Sequence, residues 1–303
     1  MKKMPSKLPI FLSKFIFLFL ISFYSFSQEI TKIDWSISNK KKEDLGKGLQ
    51  WTSYRFENKS LFNSNQNINI LETKLKNKRL KFALASADSS TKTNHLGGIL
   101  KPTSQIAQKN SAFVAVNAGF FDVKNGGAVD FIKINNKVYD TSRISAKQRL
   151  PFKQAISALT IHKNKVKIIK GEKEKGWEES IKAENVLLTG PLLLLNSETQ
   201  FLAKTAFNDN RHPRTCVCIT SDKKLLILTI DGRASEAEGM SLHELTGLLK
   251  SLKCKDAINF DGGGSTTMYI AGKPENGVVN YPSDNKKFDH AGERSVSNIF
   301  LIK

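Results

Sequence analysis

Residues 256–267 read Asp256-Ala257-Ile258-Asn259-Phe260-Asp261-Gly262-Gly263-Gly264-Ser265-Thr266-Thr267, a short apolar strand that stops at a carboxylate and runs into a compact polar turn. The same punctuation occurs twice more. Leu225 to Ile230 ends in Asp231-Gly232-Arg233, and Val114 to Val116 ends in Asn117-Ala118-Gly119-Phe120-Phe121-Asp122. Apolar runs of this length, closed by Gly, Asp or Asn, read as buried strands. Side chains fixed at strand ends on a rigid sheet are well placed for chemistry, and three such ends suggest one shared cleft.

Working outward, strands are also predicted at 49–56, 67–75, 80–87, 112–116, 129–134, 155–161, 165–169, 191–195, 215–220, 224–230, 266–271 and 295–302. Helical signals are few. Ser241 with Glu244 three residues on forms a capping box, and Leu242, Leu245, Leu248, Leu249 and Leu252 make one apolar face. Residues 103–110 and the charged stretch 170–183 each suggest a shorter helix. The predicted fold class is α+β, a strand-rich single domain with a mixed β-sheet and a few helices. Its main body spans 80–303, with 28–79 either part of the main sheet or a small addition.

Composition excludes several classes. With 303 residues, 40% hydrophobic, 25% charged, 8 Pro and 19 Gly, the chain is neither collagen-like, low-complexity nor disordered. The formal charge is +19, yet only eight of the 47 basic residues are Arg. Lysine spread over a solvated surface accounts for the balance, and no nucleic acid is expected as a partner: basic residues are not interleaved with aromatics. Four of the eight arginines, Arg211, Arg214, Arg233 and Arg294, fall in the polar motifs of the C-terminal half, and arginine's planar fork matches phosphate and carboxylate.

Residues 1–27 have the shape of a secretory signal peptide: Lys2, Lys3 and Lys7, then an apolar run from Leu8 to Phe26, then Ser25-Phe26-Ser27 as a cleavage site. Export to the periplasm or medium is the expectation, with no stable membrane span once the leader is gone. Its removal takes four lysines and no acids, which leaves +15. Cys216, Cys218 and Cys254 read as buried small hydrophobes, with one bridge to Cys254 the alternative; on a strand, Cys216 and Cys218 share a face.

The chemistry predicted for the strand ends follows from residue type. Partial burial of Asp231 and Asp261 raises a carboxyl toward the working range of an acid or base, and two carboxyls across a cleft are what acetal hydrolysis uses. Gly262, Gly263 and Gly264 can turn successive N–H groups toward one anion, and Arg214 with Arg294 near the two aspartates would clamp a phosphate. Glu244 reads as a cap and His212 as a turn residue. No organic cofactor is expected: neither a Walker motif nor a dinucleotide fingerprint is present. No metal is assigned, although Asp122, Asp231 and Asp261 are carboxylates that could hold one.

These motifs, with Thr189-Gly190-Pro191, Arg214-Thr215, Gly239-Met240-Ser241-Leu242, Tyr281-Pro282-Ser283-Asp284 and Arg294-Ser295-Val296-Ser297, form an ordered set that resembles the phosphodiester glycosidase family over roughly 80–303. The resemblance implies a secreted hydrolase that cleaves a sugar, such as N-acetylglucosamine, from a sugar-1-phosphodiester in a glycan or envelope polymer. Carried onto this chain, it implies Asp231 and Asp261 as catalytic residues. The implied substrate contacts are Asn117, Gly119, Thr189, Arg214, Arg233, Gly262, Gly263, Gly264, Ser265, Thr266 and Arg294. Cys218 departs from the pattern, standing where small residues such as Gly are common. The competing class is a secreted polysaccharide-binding or exopolysaccharide-assembly protein that uses the same cleft without turnover.

Overall fold

A computed structural model describes residues 33–88, 98–140, 157–171 and 176–303. The leader predicted at 1–27 lies outside them. In chain order the strands are β1 (Asn39–Asp44), β2 (Leu49–Leu61), β3 (Ser64–Lys74), β4 (Phe82–Ser86), β5 (Lys101–Pro102), β6 (Val114–Asn117), β7 (Ile132–Ile134), β8 (Lys137–Asp140), β9 (Ser157–His162) and β10 (Lys165–Lys170). They continue with β11 (Asn185–Leu188), β12 (Leu192–Leu195), β13 (Glu198–Thr199), β14 (Arg214–Thr220), β15 (Lys224–Ile230), β16 (Cys254–Asn259), β17 (Met268–Ile270), β18 (Ser295–Val296) and β19 (Asn298–Ile302). Three helices are described: α1 (Thr103–Lys109), α2 (Ala206–Asp209) and α3 (Leu242–Ser251). Within the 170–183 stretch, the described residues hold only a short 3-10 turn, Trp177–Ser180.

The strands form an eight-stranded sheet, β1-β2-β3-β15-β14-β16-β12-β13, a five-stranded sheet, β10-β9-β11-β7-β8, a four-stranded sheet, β17-β6-β19-β4, and the pair β18-β5. The chain is strand-rich as expected, but the mixed sheet is corrected: every pairing among the described strands is antiparallel, and the helical share is small. The segment β15-α3-β16 looks like a parallel crossover in sequence. In space β15 and β16 lie on either side of β14, each antiparallel to it, so they run in the same direction without touching.

Burial on both faces explains the continuous apolar runs. Along β14, Cys216 and Cys218 join Leu226, Leu228, Ile230 and the leucines of α3, whereas Val217 and Ile219 join Leu225, Ile227 and residues of the two smaller sheets. Ten residues are marginal as an isolated helix, so packing rather than propensity holds α3. Leu242, Leu245, Leu248 and Leu249 are fully buried, each contributing roughly 1.5–3 kcal/mol. Its start is fixed by the predicted box: Ser241 Oγ accepts from Glu244 N at 3.1 Å and Glu244 Oε2 from Ser241 N at 2.9 Å.

Cys218 and Cys254 form a disulfide with Cα atoms 5.8 Å apart, and Cys216 remains a buried thiol. The bridge therefore replaces the reading of all three as simple hydrophobes. Residues 39–74 are woven into the large sheet through seven register pairs between β3 and β15. Thr31–Lys303 forms one compact unit. No helix among the described residues is long and apolar enough to cross a membrane.

Candidate active site

The three punctuated strand ends converge. Asn117, at the end of β6, donates from Nδ2 to the Asp261 carbonyl at 2.6 Å, and Asp261 N–H donates to the Ala118 carbonyl at 2.8 Å. Asn117 Oδ1 accepts from Thr215 Oγ1 at 2.7 Å and Thr267 N at 3.2 Å, so its amide is spent on holding the loop after β16. The third end joins through Asn280. Its Nδ2 donates to Asp231 Oδ1 at 2.8 Å and to the Thr266 carbonyl at 3.0 Å.

The two aspartates differ sharply. Asp231 is fully buried, and its carboxylate accepts from Asn67 Nδ2 at 2.6 Å, Asn280 Nδ2 and Tyr281 N at 3.1 Å. Burial raises its pKa against those three donors and the nearby His290. No solvent reaches it, which differs from the expectation of two carboxyls facing one another across a cleft. Asp261 instead keeps partial solvent contact. Its carboxyl is pushed up to about 6 by desolvation, while the Ser265 hydroxyl, the Gly262 N–H and the charges of Arg294 and Arg233 act the other way. That value suits proton transfer near neutrality.

Two guanidinium groups flank the glycines that follow. A Cβ on Gly263, whose φ is +61°, would lie 2.8 Å from Arg233 Nη2, and one on Gly264 would lie 2.6 Å from Arg294 Nη2. The positive φ at Gly263 favours glycine, and at both positions a side chain would displace the guanidinium that packs on the bare backbone. Arg233 is exposed. Arg294 is held by Asp284, whose Oδ1 accepts from Nε at 2.8 Å and Nη2 at 2.5 Å.

Arg214 lies elsewhere. It is 1% exposed and gives its guanidinium to backbone carbonyls: Nε to Met240 at 2.8 Å, Nη2 to Phe207 at 2.7 Å and Asn210 at 3.0 Å. It shares the α3-side face of β14 with Cys216 and Cys218. Burial and the charge of Arg233 lower its pKa to about 10. Among the described residues no carboxylate is hydrogen-bonded to it, and its fork is spent on backbone carbonyls.

The glycine nest is also corrected. Gly262 N–H donates to its neighbour Asp261 Oδ1 at 2.9 Å and Gly263 N–H to the Pro213 carbonyl at 2.9 Å, so those two donors are not turned to one external point. Gly119 N–H is taken by Asn298 Oδ1 at 2.7 Å, and a Cβ there would strike Leu187 at 2.8 Å; it is a packing glycine. Thr189 is buried, with its hydroxyl on the Asn259 carbonyl at 3.2 Å. Ser265 is buried beside Asp261, and Thr266 Oγ1 is buried without a hydrogen-bond partner. Asn67, Asn280 and Asp284 were not predicted as site residues. No spacing rule points to Asn67 or Asn280, while Asp284 closes the Tyr281-Pro282-Ser283-Asp284 motif, the one signal that could have found it.

Glu244 caps α3 and anchors Arg211 at 2.6 Å, and His212 bridges to Met240 through its backbone. Among the described residues no group of three or more His, Cys, Asp or Glu could hold a metal ion. Asp122 caps its own turn, accepting from Lys124 N and Asn125 N at 2.9 Å.

Comparison with known proteins places this geometry in context. The catalytic domain of zebrafish N-acetylglucosamine-1-phosphodiester alpha-N-acetylglucosaminidase, auto-inhibited by its pro-peptide, superposes with a TM-score of 0.64 at 19% identity, covering 87% of each chain. A hypothetical protein from Synechocystis superposes with a TM-score of 0.61 at 13% identity over 87% of this chain and 63% of that one. In sequence, 98 residues are 32% identical to the SPbeta prophage-derived uncharacterized protein YomE of Bacillus subtilis (strain 168), a stretch that is 32% of this chain and 15% of that relative's length. The sequence profile of the phosphodiester glycosidases matches residues 110–303. By that match, which takes in the ends of β6, β15 and β16 and every glycine and arginine that flanks Asp261, the chain belongs to the phosphodiester glycosidase family.

Proposed function

We propose that this chain hydrolyses a sugar-1-phosphodiester by breaking the bond between the anomeric carbon and the phosphate oxygen. The observation that carries the reading is Asp261, poised at about 6, beside two guanidinium groups packed on Gly263 and Gly264. Arg233 and Arg294 bind the phosphate, and buried Arg214 reinforces their field. The leaving phosphomonoester is already an anion stabilised by these cations, so its departure needs little protonation. What the reaction needs is an activated water.

Asp261 supplies that activation as general base. Water attacks the anomeric carbon, its proton passes to the Asp261 carboxylate, and the electron pair of the broken C–O bond leaves on the phosphate. Asp231, sealed from solvent, acts as a positioning residue: through Asn280 it fixes the 261–267 loop, and through Asn67 it ties that loop to β3. Export to an oxidising compartment is part of the same proposal, and the Cys218–Cys254 bridge supports it.

A substrate panel tests the reading. Free sugar should be released from a sugar-1-phosphodiester much faster than from an uncharged aryl glycoside of the same sugar. Equal rates on both would remove any role for the arginines, and phosphodiester binding without turnover would favour a binding protein.

A further inference from the structure

One face of the first three strands, outside the region matched by the family profile, forms the floor of a basic pocket whose wall, Val279, Tyr281 and His290, lies inside that region. Register places Asn39, Arg55 and Asn67 in one cross-strand row and Lys41, Ser53 and Asn69 in the next. The first row continues into β15's end, where Asp231 N–H donates to the Asn67 carbonyl at 3.0 Å and the two side chains hydrogen-bond. Above this floor stand Tyr281 and His290, and the open groove between them has a volume of about 370 Å³. That is large enough for a sugar phosphate unit.

The lining holds lysines, Arg55 and His290 and no carboxylate. Arg55 Nε lies 3.2 Å from Glu57, outside the lining, yet has no aligned hydrogen-bond partner and is buried. Lys41 Nζ sits 5.3 Å from the centre of the Trp51 ring, with no carboxylate paired to it among the described residues. Tyr281 stacks on Phe288 at 3.9 Å and on His290 at 4.3 Å, so its ring is already engaged within the wall. An anion would find a lining of Lys40, Lys41 and Arg55 that holds no carboxylate, with Arg55 shared with Glu57 beside it.

We propose that this cavity is a second phosphate subsite, which holds a phosphate other than the one being cleaved. The inference rests on the proposed phosphodiester chemistry for its biological substrate: a polymer of repeating sugar phosphodiesters would place one phosphate against Arg233 and Arg294 and another against Lys41 and Arg55. Residues 39–67 thereby extend substrate recognition beyond the profile-matched region.

The test uses the full chain with ¹⁵N-labelled tryptophan and inorganic phosphate as the probe. Trp51 Nε1–H, which donates to Asn69 Oδ1 at 3.2 Å, reports from the cavity. Saturable movement of the Trp51 signal is expected, with an apparent Kd raised roughly tenfold or more in Lys41→Ala/Arg55→Ala, since charge-assisted contacts are each worth about 10–100-fold. Arg233→Ala should leave that titration in place. Lys41→Gln alone, on the exposed edge strand, should show a smaller rise and guards against misfolding of the double variant. A Trp51 signal that phosphate does not move, or one whose response is lost in Arg233→Ala and kept in Lys41→Ala/Arg55→Ala, overturns the proposal. The two readings separate cleanly: cleavage of phosphodiesters with a silent Trp51 defeats the subsite alone, whereas a Lys41- and Arg55-dependent titration in a chain that cleaves none defeats only the reaction.

Discussion

Replacing Asp261 with Asn should stabilise the protein while disabling it. The carboxyl's ordinary value of 3.8 is raised to about 6 in the fold. At about 1.36 kcal/mol for each unit, ionising it in place costs about 3 kcal/mol as an upper bound, because residual solvent contact screens the group. The sign follows from linkage. Between pH 3.8 and 6 the folded state holds more of this proton than the unfolded state, so stability falls as pH rises through that window and is level above it. Asn carries no such cost and can still accept the Gly262 N–H. Denaturant unfolding of both proteins at pH 4, 5, 6, 7 and 8 should show curves that nearly meet at the acid end and differ by up to about 3 kcal/mol, in favour of Asn, above pH 6. Over the same range kcat should drop about 10²–10⁴-fold, with the wild-type rate itself declining as pH falls below about 6. A stability difference that stays flat from pH 4 to 8 would refute the desolvation argument, and a wild-type rate that rises on acidification would refute Asp261 as the base.

Arg233→Lys keeps a charge beside Gly263 and removes the fork. A loss in kcat/KM of roughly 10–100-fold on phosphodiesters is expected, read from steady-state kinetics. Removing the disulfide with Cys218→Ala/Cys254→Ala opens a link spanning 36 residues of sequence, which should lower stability by roughly 2–4 kcal/mol in the same unfolding assay.

Much of this site could be read from punctuation. Asp261, Arg233 and the glycines stood together because an apolar strand ending in a polar cluster is a local pattern, and local patterns survive in a one-dimensional string. Arg214 shows where that approach failed although the signal was present. The parity that puts Cys216 and Cys218 on one face of β14 puts Arg214 on it too, where its guanidinium meets the carbonyls of Met240, Phe207 and Asn210. The glycine nest failed for another reason: whether an N–H is free depends on which carbonyl comes near, and Pro213 is 50 residues away in sequence. The mixed sheet failed because strand direction is set by pairing: β14 lies between β15 and β16 and is antiparallel to both, which no local pattern records. Asn67 and Asn280 carried no signal, since what matters about them is the buried carboxylate they share.

Hydrolysis in water enriched in ¹⁸O tests the central claim most directly. If Asp261 drives water onto the anomeric carbon, the label appears in the released sugar and the phosphomonoester carries none. Label in the phosphate, with a phosphorus–oxygen bond broken instead, would contradict the account.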